Sequence, residues 1–227
     1  MSASLIALVP AAGIGARALT GDSGGLPKQY QPLAGQPMLR HSVLALLSDT
    51  RIRQVRVAVS AGDAWVQAAL AGLPRTVWRP CGGPTRARTV ANALADSGAA
   101  DDDWILVHDA ARPGLSADAL ARLIDACMDD PVGGLLALPV RDTVKAGPGR
   151  VARTVDRQEL WLAQTPQMFR AGLLRQALAD AAGRGVEVTD EASAVEAAGH
   201  APLLVPGVMR NFKVTWPEDF ALMEKWL

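Results

Sequence analysis

The stretch "SLIALVPAAGIGARALTGDSGGLPKQY", residues 4–30, is a short apolar run followed by a loop rich in Gly and Ala. The run at residues 4–9 is apolar at nearly every position, which is typical of a strand buried on both faces of a parallel sheet. Small residues allow the loop backbone to approach a ligand closely, and Arg17 and Lys28 add positive charge. We therefore predict a buried first strand whose following loop holds a polyphosphate.

This loop matches neither of the common phosphate-binding patterns. After Gly13 and Gly15, Ala18 stands where a dinucleotide-binding fingerprint has its third glycine. Lys28 follows a proline, so the Gly-Lys-Ser/Thr ending of a P-loop is absent as well. A flexible surface turn with two solvated cations is the alternative interpretation. The position of the loop directly after the first strand, with a proline before Lys28, favours a ligand-binding loop.

Three further apolar runs, at residues 55–59, 104–109 and 133–140, also predict buried strands. Segments with helical periodicity lie between and after these runs. Because strands alternate with helices, we predict an α/β fold with a parallel sheet. The predicted helices cover residues 38–49, 63–72, 87–98, 116–130 and 171–182, with another beginning at Thr189 or Asp190 and a last one near Pro217.

The functional residues of such a sheet are expected at one edge. In open α/β sheets, ligands bind beyond the carboxyl ends of the strands. We therefore expect the chemistry in the loops that follow Val9 and Val107 and in the loop near Gly82.

Residues 139–157, "PVRDTVKAGPGRVARTVDR", break the α/β pattern. Two segments of alternating polarity, at residues 141–145 and 151–155, flank the sequence AGPG, which favours a β-hairpin. A polar two-stranded arm is only marginally stable alone. We therefore predict a protruding hairpin arm that leans on another surface, and a second subunit is the natural candidate.

The composition excludes several classes of protein. The 227 residues, 49% of them hydrophobic, are enough for a single domain over residues 1–227. Lys plus Arg equal Asp plus Glu at 23 each, so no overall field favours binding to nucleic acid or to an anionic membrane. Cys81 and Cys127 lack the spacing of a disulfide framework or a zinc site. The run at residues 4–9 is too short for a signal sequence or a membrane span, so we expect a cytoplasmic protein.

Several motifs, in order along the chain, resemble those of one family. The opening "PAAGIGAR" and "PKQY" are similar to the signature loop of nucleotidyltransferases that activate sugar or polyol phosphates. With the later blocks, they resemble the 2-C-methyl-D-erythritol 4-phosphate cytidylyltransferases of the non-mevalonate isoprenoid pathway, over nearly the whole chain. These blocks are "GGPTRARTVANAL" from Gly82, "VHDAARP" from Val107, "PVRDTVK" from Pro139, "TVDRQELWLAQTPQMF" from Thr154, "TDEASAVE" from Thr189 and "NFKVTWPEDF" from Asn211.

The resemblance implies both a fold and a reaction. The fold is a Rossmann-like nucleotidyltransferase with a twisted, mostly parallel sheet flanked by helices and a protruding β-hairpin arm. The reaction joins CTP to 2-C-methyl-D-erythritol 4-phosphate and releases pyrophosphate, through in-line attack of a phosphate oxygen on the α-phosphorus. Because the second pKa of a phosphate monoester is near 6, this nucleophile needs no catalytic base. The three histidines, His41, His108 and His200, accordingly stand in no Ser-His-Asp or Cys-His pattern.

The resemblance also implies roles for individual residues. Asp109 is the implied ligand of a Mg²⁺ or another divalent cofactor. The implied catalytic cations are Arg17, Lys28 and Lys213. The implied nucleotide-binding residues are Pro10, Ala11, Ala12, Gly13, Gly15, Gly83, Thr89, Asp109, Ala110 and Ala111. The implied substrate-binding residues are Arg112, Thr143, Arg157, Thr165 and Thr189, with the arm reaching into the neighbouring site of a homodimer.

Two other functions remain open on the sequence. A nucleotide-binding regulatory module without turnover would keep the fold, but it would not need Lys28, Asp109 and Lys213 together. A ribitol 5-phosphate cytidylyltransferase would share the opening loop and the HDAAR motif. The residues that favour methylerythritol phosphate over ribitol phosphate are Thr143, Arg157, Thr165 and Thr189.

Overall fold

A central sheet of seven strands organises the residues that the computed structural model describes, which are residues 3–13 and 25–227. Within these ranges the helices are α1 (Met38–Leu47), α2 (Val66–Ala69), α3 (Arg86–Ser97), α4 (Ala117–Met128), α5 (Ala171–Gly183), α6 (Glu191–Ala197) and α7 (Pro217–Glu224). The strands are β1 (Leu5–Pro10), β2 (Pro32–Leu33), β3 (Gln36–Pro37), β4 (Ile52–Ala58), β5 (Thr76–Arg79), β6 (Trp104–Val107), β7 (Gly133–Pro139), β8 (Val144–Ala146), β9 (Arg153–Val155), β10 (Trp161–Arg170) and β11 (Leu203–Pro206).

The strand order across the central sheet is β11-β7-β10-β6-β1-β4-β5. Neighbouring strands are parallel except where β10 is involved, because β10 runs antiparallel to both β6 and β7. Helices α1, α2 and α4 pack on one face of the sheet, and α3, α5 and α6 pack on the other. The mostly parallel, Rossmann-like α/β fold predicted from the sequence is therefore confirmed.

β1 shows why the first apolar run is nearly continuous. Leu5, Ala7 and Val9 pack into the core on one side of the sheet. Ile6 and Leu8 pack into the core on the other side. Because β1 pairs in parallel with both β4 and β6, the loop that follows it lies beside the loops that follow those two strands.

The four strands predicted from apolar runs are present as β1, β4, β6 and β7. The sequence analysis assigned no strand to β5, β10 or β11. In β10 the apolar pattern is interrupted by Gln164, Thr165 and Gln167, which are buried although they are polar. β6 ends at Val107, so Asp109 lies in the loop after the strand and not at its last position.

The helix predicted at residues 63–72 is wrong in its extent, because α2 covers only Val66–Ala69. The carboxylate of Asp63 accepts hydrogen bonds from the N–H groups of Trp65 and Val66, at 3.0 and 2.9 Å, and this turn delays the start of the helix. At the other end Gly72 has a φ of 75°, which a continuing helix does not allow. The other predicted helices are all present.

The predicted hairpin forms from β8 and β9, which form a separate two-stranded sheet among the described residues. Its turn requires glycine, because Gly147 has a φ of 155° and a Cβ at this position would collide with the carbonyl oxygen of Arg150. The arm is largely exposed, and Val151 at its turn exposes 67% of its surface. The arm therefore projects from the body without a core of its own.

Two further expectations concern the cysteines and the possibility of a membrane span. Cys81 and Cys127 are both free thiols, and Cys127 is buried. In the described ranges no helix combines the length and the apolar character needed to cross a membrane. The single-domain organisation and the cytoplasmic location stay predictions.

The packing of α1 allows a matched test of the core. We expect Leu46→Ala to lower the free energy of unfolding by about 2–5 kcal/mol, because Leu46 is fully buried and its loss leaves a cavity. Leu44→Ala on the same helix should change it by less than about 0.5 kcal/mol, because Leu44 is 41% exposed. Urea denaturation of both variants measures the difference, and equal losses would contradict this packing.

Candidate functional site

A cleft of ≈ 290 Å³ opens beyond the carboxyl ends of β1 and β6, at the edge that the sequence predicted. Gly83, Pro84 and Thr85 close one side of it. Gly15 and Arg17 lie outside the described residues, so their predicted roles stay predictions. The other predicted catalytic and nucleotide-binding residues all line the cleft; they are Pro10, Ala11, Ala12, Gly13, Lys28, Gly83, Thr89, Asp109, Ala110, Ala111 and Lys213.

The opening loop is anchored at both of its described ends. Ala11 donates its N–H to the carbonyl of Ala58 at 2.8 Å, and its own carbonyl accepts a hydrogen bond from the Gln29 side chain at 2.9 Å. Lys28 Nζ donates to the carbonyl oxygen of Val214 at 2.7 Å. The lysine is therefore aimed across the cleft, toward the segment that carries Lys213.

The start of α3 builds the opposite wall of the cleft. Thr85 caps the helix by accepting a hydrogen bond from the Arg88 N–H at 3.1 Å. The Thr89 hydroxyl donates to the Thr85 carbonyl at 3.0 Å and accepts from the Gly83 N–H at 3.0 Å. Since the Thr89 hydroxyl donates its proton to the Thr85 carbonyl and accepts the Gly83 N–H, Thr89 contributes to the cleft by fixing the position of Gly83.

Asp109 is the electrostatic centre of the site. Its Oδ1 lies 2.9 Å from Arg86 Nε and its Oδ2 lies 2.8 Å from Lys213 Nζ, with Arg112 Nε at 3.9 Å. Burial by itself would raise the pKa of this carboxyl, but Arg86, then Lys213 and Arg112, outweigh burial and hold the pKa well below its ordinary value. Asp109 is therefore ionised throughout the neutral range.

Arg86 and Glu191 belong to this site although the sequence analysis assigned no role to either. Glu191 is fully buried, and its two carboxylate oxygens bind the Arg86 guanidinium at 2.7 and 3.0 Å. Burial lowers the pKa of Arg86, but Glu191 and Asp109 more than compensate, so the guanidinium stays charged. In sequence, Glu191 resembles any acidic residue in the first turn of a helix, and only its burial distinguishes it.

A second cavity of ≈ 180 Å³ adjoins the cleft on the side of β10. Three of the predicted substrate-binding residues, Arg112, Thr165 and Thr189, line it. Both cavities share three lining residues, which are Arg86, Asp109 and Lys213. Ligands bound in the two cavities would therefore meet at the Asp109 carboxylate and its cations.

Arg112 holds the segment that carries Lys213. Its guanidinium donates to the carbonyl oxygens of Asn211, at 2.8 Å, and Ala163, at 3.4 Å. The buried side chain of Asn211 in turn donates to the Thr165 carbonyl at 2.8 Å. Two of the five N–H donors of Arg112 are thus used to join this segment to β10.

His108, next to Asp109, is completely buried. Its Nε2 lies 3.0 Å from the Arg112 carbonyl oxygen, and its Nδ1 lies 3.1 Å from Thr165 Oγ1. Burial lowers the pKa of His108 to about 4, so the imidazole is neutral at physiological pH. His108 is part of the hydrogen-bonded frame of the site.

Two of the predicted substrate-binding residues lie elsewhere. Thr143 and Arg157 are exposed at the base of the arm, and neither lines either cavity. Within one chain the arm therefore contributes nothing to the site described above. The predicted roles of Thr143 and Arg157 require a second subunit and stay predictions.

Asp109 is the predicted protein ligand of a divalent ion in this site. Among the described residues no group of three or more His, Cys, Asp or Glu side chains is arranged to hold a metal. Asp109 is a single carboxylate, and both of its oxygens are already paired with cations. This set fits Mg²⁺ that arrives with phosphate ligands, since Mg²⁺ needs only one or two protein carboxylates in such sites.

Comparisons with known proteins agree over almost the whole chain. The family described as IspD, 2-C-methyl-D-erythritol 4-phosphate cytidylyltransferase, matches residues 5–227. A 2-C-methyl-D-erythritol 4-phosphate cytidylyltransferase of Bordetella pertussis (strain Tohama I) is 80% identical over 227 residues, which is 100% of both chains. An enzyme of the same name from Ralstonia nicotianae is 54% identical, covering 96% of this chain and 89% of the relative.

Solved structures give the same result. A crystal structure described as 4-diphosphocytidyl-2C-methyl-D-erythritol synthase superposes with a TM-score of 0.86 at 41% identity. The match covers 100% of this chain and 99% of the solved one. The backbone likeness is therefore as complete as the likeness in sequence.

The buried pair of Arg86 and Glu191 yields a test of the site's stability. Glu191→Gln keeps the shape of the side chain but removes the fully buried one of the two carboxylates that pair with Arg86. We expect the free energy of unfolding to fall by about 3 kcal/mol, measured by urea denaturation. Asp101→Asn, which breaks the exposed ion pair with Arg175, is the control and should cost less than about 1 kcal/mol. A loss from Glu191→Gln no larger than that of the control would refute a structural role for the pair.

Proposed function

The chain belongs to the 2-C-methyl-D-erythritol 4-phosphate cytidylyltransferase family, and on this basis we propose that it transfers the cytidylyl group of CTP to 2-C-methyl-D-erythritol 4-phosphate. The observation that carries the proposal is the junction of the two cavities at Arg86, Asp109 and Lys213. A transferase that joins two anions needs two adjoining pockets with cations at their boundary. This chain has both.

The larger cleft is the proposed CTP site. Small residues of the opening loop, from Pro10 to Gly13, let the triphosphate approach the backbone, and Lys28 supplies positive charge. Gly83, held by Thr89, is proposed to contact the cytosine with its backbone. A base whose exocyclic groups leave buried partners unpaired would bind less tightly, which gives a physical basis for choosing cytosine over uracil.

The smaller cavity is the proposed acceptor site. A phosphate oxygen of 2-C-methyl-D-erythritol 4-phosphate attacks the α-phosphorus of CTP and forms a new P–O bond. The bond from the α-phosphorus to the bridging oxygen breaks, and pyrophosphate leaves with the electron pair. The attacking oxygen is already ionised at neutral pH, so no residue has to remove a proton. Lys213 and Lys28 stabilise the extra negative charge that develops at phosphorus.

We propose Mg²⁺ as the cofactor, as is general for nucleotidyltransferases. Asp109 and the phosphates of CTP would hold it, and its chemistry is to neutralise phosphate charge. Lys213 binds Asp109 in the free protein. Arrival of the phosphates would provide Lys213 with new anionic partners.

The arm is proposed to complete the acceptor site of a second subunit in a homodimer. Thr143 and Arg157 lie outside the cavities of their own chain and are exposed, so they are available to a neighbour. Trp161 and Leu162, at the start of β10, are also exposed apolar side chains beside the arm. Such a surface favours association with another copy.

The activity can be measured as pyrophosphate release from CTP and Mg²⁺. We expect turnover with 2-C-methyl-D-erythritol 4-phosphate and little with ribitol 5-phosphate. Lys213→Ala should lower kcat by about 10²- to 10³-fold, because a preorganised cation at the reacting phosphorus is lost. Lys225→Ala is the control. Lys225 is an exposed cation after α7, and its loss should leave turnover unchanged.

Two other outcomes would contradict the proposal, one in its acceptor and one in its activity. A preference for ribitol 5-phosphate would keep the reaction type and overturn the proposed acceptor. Binding of CTP without turnover of either acceptor would show a regulatory module instead of an enzyme.

A mixture of two inactive variants tests the shared site. In the proposed dimer, Lys28 of one chain and Arg157 of the other serve the same site. Lys28→Ala and Arg157→Ala should each be inactive, but co-expression should restore about a quarter of the wild-type activity, because half of the dimers are mixed and each has one intact site. If both residues serve a site within one chain, the mixture stays inactive.

A further inference from the structure

The hydroxyl of Thr165 lies in a buried chain of hydrogen bonds that the proposed reaction does not explain. Thr165 exposes only 4% of its surface and His108 none. Thr165 Oγ1 lies 3.1 Å from His108 Nδ1 and 3.0 Å from the backbone nitrogen of Asp109. Thr165 also lines the proposed acceptor cavity.

The donor and the acceptor of each hydrogen bond in this series follow from the Arg112 carbonyl group at one end of it. The carbonyl oxygen of Arg112 can only accept, so His108 Nε2, at 3.0 Å, must carry a hydrogen. His108 exposes none of its surface, and its ring nitrogens face a carbonyl oxygen and a hydroxyl rather than a carboxylate, so the ring is neutral and carries one hydrogen. Nδ1 is then bare and can only accept. The hydroxyl of Thr165 must therefore donate its hydrogen to Nδ1.

The opposite tautomer has no comparable arrangement. A hydrogen on Nδ1 would leave Nε2 bare, and two acceptors, Nε2 and the Arg112 carbonyl oxygen, would face each other at 3.0 Å. Both atoms would then be buried without a partner, which is costly. The geometry therefore selects the tautomer with its hydrogen on Nε2.

This assignment leaves one lone pair of the Thr165 hydroxyl unused. A hydroxyl has one hydrogen and two lone pairs. The hydrogen is used by His108, and one lone pair accepts the N–H of Asp109. One lone pair is left, which can accept a hydrogen bond but cannot donate one to a phosphate oxygen.

We propose that His108 is a positioning residue that fixes Thr165 as an acceptor, and that Thr165 recognises a hydroxyl group of the acceptor substrate and not its phosphate. This inference rests on the proposed function, which supplies a substrate with several hydroxyl groups and one phosphate. The phosphate is left to two cations that line this cavity, Arg112 and Lys213. Thr165 thereby contributes to the choice among phosphorylated polyols.

Two substitutions at His108 distinguish the roles of the two ring nitrogens, Nε2 and Nδ1. His108→Gln has an amide nitrogen that can reach the Arg112 carbonyl, but it offers no acceptor near Thr165. His108→Asn, the conservative variant, has an amide oxygen near the position of Nδ1. We expect His108→Gln to raise KM for methylerythritol phosphate about tenfold and to leave KM for CTP within about twofold. His108→Asn should recover most of that loss.

His41→Gln is the matched control. The ring of His41 also binds a backbone carbonyl, that of Leu33, at 2.7 Å, but it lines neither cavity. This variant should leave both KM values unchanged. If His108→Asn and His108→Gln raise both KM values equally, His108 is only structural and the inference fails.

Substrate analogues test the recognised group itself. In deoxyfluoro analogues of methylerythritol phosphate, fluorine replaces one hydroxyl at a time and cannot donate a hydrogen bond. One analogue should raise KM of the wild-type enzyme about tenfold and should cause no further increase in Thr165→Val. Losses that are equal in wild type and Thr165→Val for every analogue would overturn the inference.

The tautomer can be measured without any substrate. In protein with ¹⁵N-labelled histidine, the His108 ring is identified by the signals missing from His108→Asn, and we expect a hydrogen on Nε2 and none on Nδ1. A hydrogen on Nδ1 would refute the positioning role of His108 even if the enzyme turns over as proposed. Absence of turnover with methylerythritol phosphate, with the expected tautomer, would instead refute the proposed function and leave the hydrogen-bond assignment of His108 and Thr165 intact.

Discussion

The ionised carboxylate of Asp109 is the group on which the rest of the site depends. Its oxygens bind Arg86, the first residue of α3, and Lys213, which follows the 3-10 turn Met209–Asn211. Asp109 itself lies two residues beyond the end of β6. One carboxylate thus joins three segments that are far apart in sequence.

A cluster of this kind is costly to form and serves the chemistry that follows. Removing charges from water has a large penalty, which close pairing only partly offsets. Glu191, fully buried, neutralises Arg86 through the two guanidinium nitrogens that do not bind Asp109. The cations are therefore held in place before any substrate binds. Groups that are already oriented need no reorganisation when charge develops on the transferring phosphorus, and this is where electrostatic catalysis gains most.

The reversed direction of β10 is what brings the acceptor residues to this cluster. Gln167 of β10 is opposite Val107 of β6 in an antiparallel register. As the chain is followed back from Gln167, it moves in the direction in which β6 runs forward, so Thr165 lies beside His108 and Asp109. A parallel strand in the same place would present residues from its C-terminal end instead. The antiparallel strand therefore allows a segment late in the sequence to form a wall of the acceptor cavity.

The sequence by itself determined the layers of the fold and most of the nucleotide-binding cleft. Runs such as residues 4–9 are apolar on both faces, and this pattern requires a sheet covered on both sides wherever the strand lies. The small residues after β1 and the lysine at position 28 belong to one short stretch of sequence, residues 11–28, so their shared role could be predicted locally. The motif resemblance extended this prediction to Asp109 and Lys213.

Only the tertiary structure revealed the contacts that join separate segments. Arg86 and Glu191 are 105 positions apart, and Thr165 and His108 are 57 positions apart. Neither pair has a spacing or a composition that marks it in sequence. Whether an acidic residue at a helix start is solvated or buried, and which nitrogen of a histidine carries the hydrogen, depends on the neighbours that folding brings together. Burial and hydrogen-bond direction are properties of those neighbours, and for this reason the sequence alone could not decide them.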